Sequence, residues 1–227
     1  MAPHDLGKLR FPDHLGDPFG DHASCTDIAY LAFLLACYGG HPELLDVTER
    51  LIRARLFTCQ VTNGISRGSW GTYDGYFGGG VVLDVFALIA GTLAILYADS
   101  VVEKEDGIWV RLLFSAENAA ATVSAFRDDR QHLYVVPHKS GPLHVRIPQW
   151  CDETTLRITD NLGNPLPFEK QGVFAVIPTE AEQGIQLSFD LPLTETTETT
   201  WISNVSYRLF WKGDDLCQYE EIPKESV

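Results

Sequence analysis

Two spacings of apolar residues divide this chain near residue 100. In DIAYLAFLLACY (27–38) and PELLDVTERLIRARLF (42–57) apolar positions recur at helical intervals. In the second stretch Leu44, Leu45, Val47, Leu51, Ile52 and Leu56 lie on one stripe. Ser24 or Thr26 can cap the first helix, Gly39-Gly40 supplies a left-handed stop, and Pro42 with Glu43 suits the opening turn of the second. The connection is short, so the two helices are expected to form an antiparallel hairpin. Glu43, Asp46, Glu49, Arg50, Arg53 and Arg55 are expected to be mostly solvated. A third helix is predicted from about Val81 to Ala98, apolar all round in the manner of a helix buried between others.

After Asp106-Gly107 the period shortens. IWVRLLF, TVSAF, HLYVV, PLHVRIP, TLRIT, VFAVIP and IQLSFDL are short runs rich in β-branched and aromatic residues, separated by Gly, Pro, Asp and Asn. Helices followed by a run of strands predict segregated layers, an α+β fold. The expected organisation is a helical segment over residues 1–103 and an antiparallel β-sandwich over residues 104–227. TETTETT (194–200) reads as an exposed strand edge or a linker, and the acidic tail KGDDLCQYEEIPKESV as frayed.

Composition removes several classes of function. With 45% apolar and 11% aromatic residues in 227, the chain has enough to build a core. Its net charge of −14 argues against nucleic acid or an anionic membrane as partner, because either needs clustered Lys and Arg. The uncharged run Val85–Ala98 falls short of the roughly 20 residues that cross a bilayer. Gly78-Gly79-Gly80 lacks the Lys-Ser/Thr of a phosphate loop. The amino terminus has no apolar secretion signal, which predicts a cytoplasmic protein. Five cysteines without a CxxC pair fit reduced thiols better than a disulfide framework.

Candidate chemistry concentrates in the loop GSWGTYDGY. Trp70, Tyr73 and Tyr76 offer rings for sugar faces and Asp74 a carboxylate for hydroxyls; the plainer reading is a turn-rich loop whose aromatics cover a barrel mouth. Trp150 reads as a sandwich-core residue. Asp128-Asp129, Asp214-Asp215 and Glu220-Glu221 read as solvated turns or tail. His22, Cys25 and Asp84 are the residues that a metal site would have to use.

Four stretches together carry a resemblance to the carboxy-terminal part of the β-L-arabinofuranosidase family of glycoside hydrolases, family 127. They are GDPFGDHASCTDIAYLAFLLACYGGHPELLDVTERLIRARL, ALIAGTLAILYADSVVEKEDGIWVRLLFSAENA, GPLHVRIPQWC and TWISNVSYRLFWKGDDLC. The resemblance implies (α/α)6-barrel helices followed by β-sandwich structure. It also implies a zinc ion held by one glutamate and three cysteines, one of which is the nucleophile, with a second glutamate as acid and base.

Carried over residue by residue, that site is incomplete. Cys25 stands where the resemblance places the cysteine of Glu-Thr-Cys, and Ala23 replaces the glutamate. The paired cysteines are expected near Gly79, Gly80 and Val81, yet no cysteine lies between Cys59 and Cys151. The acid/base glutamate belongs to barrel sequence amino-terminal to this chain. The expectation is a glycoside hydrolase-like protein impaired in catalysis; the alternative is a non-catalytic carbohydrate-binding or accessory scaffold. No cofactor is expected, with zinc only if His22, Cys25 and Asp84 rebuild a site. The expected ligand is a glycan. Three helices cannot close a twelve-helix barrel, so self-association or a second chain is expected to cover the open helical face.

Overall fold

A computed structural model describes residues 22–57, 60, 83–199 and 206–223; side-chain surroundings are given from residue 25 in the first of these segments and from residue 87 in the third. Two compact units emerge, each assembled from separated parts of the chain. One holds the described parts of Met1–Leu35, Val47–Leu93 and Leu193–Val227; the other holds Ala36–Asp46 and Ala94–Pro192.

Among the described residues the first half is helical: α1 (His22–Tyr38), α2 (Leu44–Leu51) with a π-helical continuation (Ile52–Phe57), and α3 (Leu83–Ala98). α1 is already helical at His22, so Ser24 and Thr26 lie inside it and do not cap it; Thr26 is buried. Gly40 adopts φ 77° just past the end of α1, the left-handed stop that its missing Cβ allows. The wider π turns of the second helix depart from the continuous α-helix expected there. They coincide with burial on more than one side. Leu51 packs with Cys25 and Ala29 of α1, while Ala54 packs against Leu209 and Trp211.

That second contact belongs to a three-stranded antiparallel sheet of β11 (Leu193–Thr199), β12 (Ser206–Lys212) and β13 (Asp215–Ile222). Residues 194–199 of TETTETT therefore lie on an exposed edge strand among the described residues. The acidic tail is not frayed through Ile222, because its residues pair with β12 from Asp215 onward. Arg208 holds that register electrostatically, with Glu195 at 3.1 Å on one neighbour and Glu220 at 3.8 Å on the other.

The second unit contains a β-sandwich. One sheet has the order β1 (Val101–Lys104), β2 (Gly107–Val110), β6 (Gly141–Arg146), β9 (Phe174–Thr179), β8 (Glu169–Gln171). The other runs β3 (Ala116–Glu117), β4 (Ala121–Arg127), β5 (Arg130–Pro137), β10 (Ile185–Asp190), β7 (Arg157–Asp160). Alternate residues of both sheets interdigitate: Val110, Leu143, Val145 and Ile177 meet Val123, Val135, Leu187 and Phe189 in one cluster. Fully burying each such side chain contributes about 1.5–3 kcal/mol. Trp150 packs against this cluster and stands edge-on to Phe189 at 5.7 Å, as a core residue should.

The sandwich is not wholly antiparallel. β2 and β6 pair parallel, Ile108 opposite Leu143 and Val110 opposite Val145. Between them the chain builds β3, β4 and β5 in the opposite sheet, so its return is a crossover and not a hairpin, which is what a parallel neighbour requires. Gly107 makes the close approach possible: its φ is 133°, and a Cβ there would lie 2.2 Å from the Pro142 carbonyl oxygen.

Two of the charges expected to be solvated are instead fixed in packing. Asp46 of α2 accepts hydrogen bonds from Arg146 Nη1 and, at 2.7 Å, from the backbone N–H of Gln149. Arg146 is fully buried and also donates through Nε to the Arg111 carbonyl at 2.8 Å. Glu49, likewise fully buried, is treated with its partners below.

Removing one partner of a buried pair leaves an uncompensated charge, at a cost of about 3–5 kcal/mol. Asp46→Ala should therefore lower unfolding free energy by about that amount in urea titration. The double replacement Asp46→Leu with Arg146→Met should cost less than the two single changes added together.

Candidate functional site

Cys25 sits on the inner side of α1 with no exposed surface, packed against Ala29 and Leu51 and flanked by Ile28 and Val47. Its surroundings among these neighbours are aliphatic. Thr48 reaches across from α2 to donate to the Ala29 carbonyl at 3.2 Å, tying the two helices beside this cluster. Among the described residues no three His, Cys, Asp or Glu side chains are placed to hold a metal ion. The side chains of His22 and Asp84, and all of Trp70, Tyr73, Asp74 and Tyr76, lie outside the described residues.

A second constellation in the same unit escaped the sequence reading. Glu49 is fully buried and accepts from Arg53, Nη2 at 2.7 Å and Nε at 2.8 Å, one helical turn away. The same guanidinium lies 3.7 Å from the carboxylate of Asp214, also fully buried, in the β12–β13 turn. Asp214 is thus not part of a solvated surface. Arg50 lies over the ring of Trp211 at 5.1 Å. Two carboxylates held by one guanidinium away from water form an ion cluster that locks the helix onto the three-stranded sheet. They do not resemble the solvent-reachable acid and base of glycoside hydrolysis, which must flank a bond and admit water. The signal that was available is the four-residue spacing of Glu49 and Arg53.

In the other unit, Asp128 of the β4–β5 turn accepts from Arg130 N–H at 2.7 Å and lies 3.1 Å from His132 Nε2, and these contacts hold its carboxyl below the usual range. Asp160 is lowered in the same way, first by the Asn164 side chain and then by the Asn164 backbone N–H. Glu220 and Glu221 lie on β13.

Cys25, Cys37, Cys151 and Cys217 are not in disulfides. Burial raises the Cys37 thiol, against the pull of Arg111 and Lys104. Burial, then Glu153 and Asp152, pushes Cys151 up to about 12. Neither is a thiolate at neutral pH, so neither is an activated nucleophile.

No family model matches the sequence, and neither does any curated protein. Similarity to solved structures is extensive. A GH127 β-L-arabinofuranosidase from Geobacillus stearothermophilus T6 superposes on 88% of this chain with a TM-score of 0.56 at 14% identity, over 36% of its own length. A structure described as a glycoside hydrolase matches 88% of this chain at a TM-score of 0.58 and 11% identity, over 37% of its length. A GH127 β-arabinofuranosidase matches 90% at 0.54 and 10%, over 46% of its length. The chain therefore has a partial GH127-like fold, and spans less than half the length of these three structures. Among the described residues no helix is long and apolar enough to cross a membrane.

At pH 8 a thiol with a pKa near 12 is ionised in about one molecule in ten thousand. Iodoacetamide should leave Cys151 unmodified in the folded protein while labelling exposed Cys217, as read by peptide mass mapping. Label on both at equal rates would contradict the buried setting of Cys151.

Proposed function

We propose that this chain is a GH127-like protein impaired in the chemistry of that fold. In this reading residues 1–103 form the end of an (α/α)6-type barrel and residues 104–227 a β-sandwich domain. The observation that carries the reading is the set of residues at the ligand positions around Cys25 and before α3. It occupies the position of a zinc-binding cysteine in the resemblance, but packs against Ala29 and Leu51, and position 23 is alanine. With alanine at position 23 and no cysteine between Cys59 and Cys151, the sequence lacks three of the four ligands that make zinc binding strong in the resemblance.

The second reading, a non-catalytic carbohydrate-binding or accessory scaffold, is favoured by the residues that remain in the loop. Trp70, Tyr73, Asp74 and Tyr76 offer sugar-facing chemistry without requiring a metal.

The helices also support a covering partner. α3 was expected to be buried, but Leu88, Ile95 and Tyr97 are exposed along it, as are Leu31, Leu35 and Tyr38 along α1. Apolar residues in such numbers on single helices mark surfaces that associate. A second copy or another chain covers them in this proposal. In sedimentation velocity the protein should run as larger than a monomer, and Leu31→Lys with Ile95→Lys should shift it toward the monomer.

Metal analysis and turnover decide between impairment and activity. The purified chain should carry far less than one equivalent of zinc, with no release of nitrophenol from 4-nitrophenyl β-L-arabinofuranoside. Stoichiometric zinc that disappears in Cys25→Ala, together with turnover, would overturn the proposal and identify a rebuilt site.

A further inference from the structure

The two outer faces of the sandwich differ in kind. On the first sheet the outward residues His144, Arg146 and Phe174 are buried. His144 stacks on Trp109 at 4.0 Å, and Lys104 lies over the same indole at 4.4 Å. On the second sheet the outward face is open: Phe126 is 62% exposed and Tyr134 37%.

Strand register sets that open face in two rows. Phe126, His132, Ser188 and Arg157 lie across β4, β5, β10 and β7; Ser124, Tyr134, Gln186 and Thr159 form the next row. With strands about 4.8 Å apart and alternate residues about 6.7 Å apart, the rows make a shallow patch roughly 14 Å long. Of the core-facing residues between them, Leu133, Leu187 and Ile158 are buried and Ala125 packs against the same cluster, so the two sets occupy opposite sides of the sheet.

The exposed ring is held rather than loose. Phe126 stacks on His132 with centroids 4.4 Å apart and planes 5° from parallel. His132 is fixed by Asp128 at 3.1 Å, and Asp128 by the Arg130 N–H. One face of Phe126 is thereby taken by an imidazole, and most of the side chain is left to solvent. Nearby, Arg130 is bound to the Asp190 carboxylate, to the Thr155 carbonyl at 2.8 Å and to Ser188 Oγ at 3.4 Å. At the Tyr134 end, a Cβ on Gly184 would lie 2.3 Å from the Tyr134 hydroxyl and 2.1 Å from Asn161 Oδ1. Gly184 thus leaves room where a phenol oxygen and an amide oxygen converge.

We infer that this outer face is a binding platform for a neutral glycan, with sugar C–H faces laid on Phe126 and hydroxyls received by Tyr134, Asn161 and Gln186. Each part follows from the chemistry of a sugar. An apolar ring face needs a flat, fixed aromatic surface, and the hydroxyls around it need neutral donors and acceptors at its edge. A net charge of −14 repels nucleic acids and acidic polysaccharides, which leaves uncharged chains. Two rings set among hydroxyl, amide and charged groups give too little apolar area for the core of a stable protein interface. The platform uses none of the residues of the Trp70–Tyr76 loop and does not depend on the reading given to that loop.

The test is affinity electrophoresis of the whole chain in gels containing soluble arabinoxylan, arabinan, galactan or mixed-linkage β-glucan, followed by titration calorimetry with the polysaccharide that retards it. At least one of the four should retard the protein. Phe126→Ala should weaken that binding about tenfold, the upper range for an aromatic contact. Tyr134→Phe should weaken it less, because the ring remains and only the hydroxyl is lost. Both sites are on the surface, and an unchanged thermal melt verifies that the variants are folded. Retardation by none of the four polysaccharides overturns the inference. So does binding that survives Phe126→Ala but is lost on Trp70→Ala, which would place the glycan at the loop.

Discussion

The Asp46–Arg146 pair joins positions a hundred residues apart and takes a guanidinium fully out of water. A charge in that position is stable only while its partners are in place, so the pair constrains everything attached to either end. At one end is the first turn of α2, whose amide dipoles favour the Asp46 carboxylate. At the other is the end of β6, where the same guanidinium also fastens the Arg111 carbonyl just beyond β2. The Gln149 N–H closes the arrangement on the far side of the carboxylate. One side chain thus connects a helix start, two neighbouring strands and the segment that leads to Trp150.

This connection gives a physical meaning to two of the sequence motifs. LDVTER and HVRIPQW are far apart and individually unremarkable in composition, yet the aspartate of one is the counter-ion of the arginine of the other. Covered and open surfaces of the sandwich then divide between structure and recognition. The face carrying Arg146, His144 and Phe174 is consumed by packing, whereas Phe126 and Tyr134 on the other remain partly exposed.

The sequence was most legible where side-chain periodicity alone determines structure. The change from helix to strand falls between Ala98 and Val101, and Gly40 stops α1 as its sequence suggests. The strands were legible from alternation, but the parallel pairing of β2 with β6 was not, because period two is the same whichever way a neighbour runs. Charge was the least legible property. Asp46, Glu49 and Asp214 look like surface residues by type; Arg146, a hundred residues away, pairs with Asp46, while Arg53 pairs with Glu49 along the helix and with Asp214 across the chain, and such pairing makes burial tolerable. The acidic tail was misread for a related reason: β13 is stabilised by pairing with β12, which composition does not encode. Of the candidate site, Cys25 is seen to pack with Ala29 and Leu51, while the platform of Phe126 was invisible beforehand because it arises from residues brought side by side across four strands.

The separation of Asp46 from Arg146 also has a temporal side. A chain made at roughly 5–20 residues per second needs on the order of 5–20 s to extend from one to the other. During that interval α2 can form, but the Asp46 carboxylate has no counter-ion. The crossover from β2 to β6 imposes a similar delay, since β3, β4 and β5 are synthesised before β2 acquires its parallel neighbour. Assembly of the helical start and the sandwich is therefore a late event in biosynthesis, and the apolar sides of α1 and α3 are presented to the cell, and to any chaperone in it, before the arginine that anchors α2 exists.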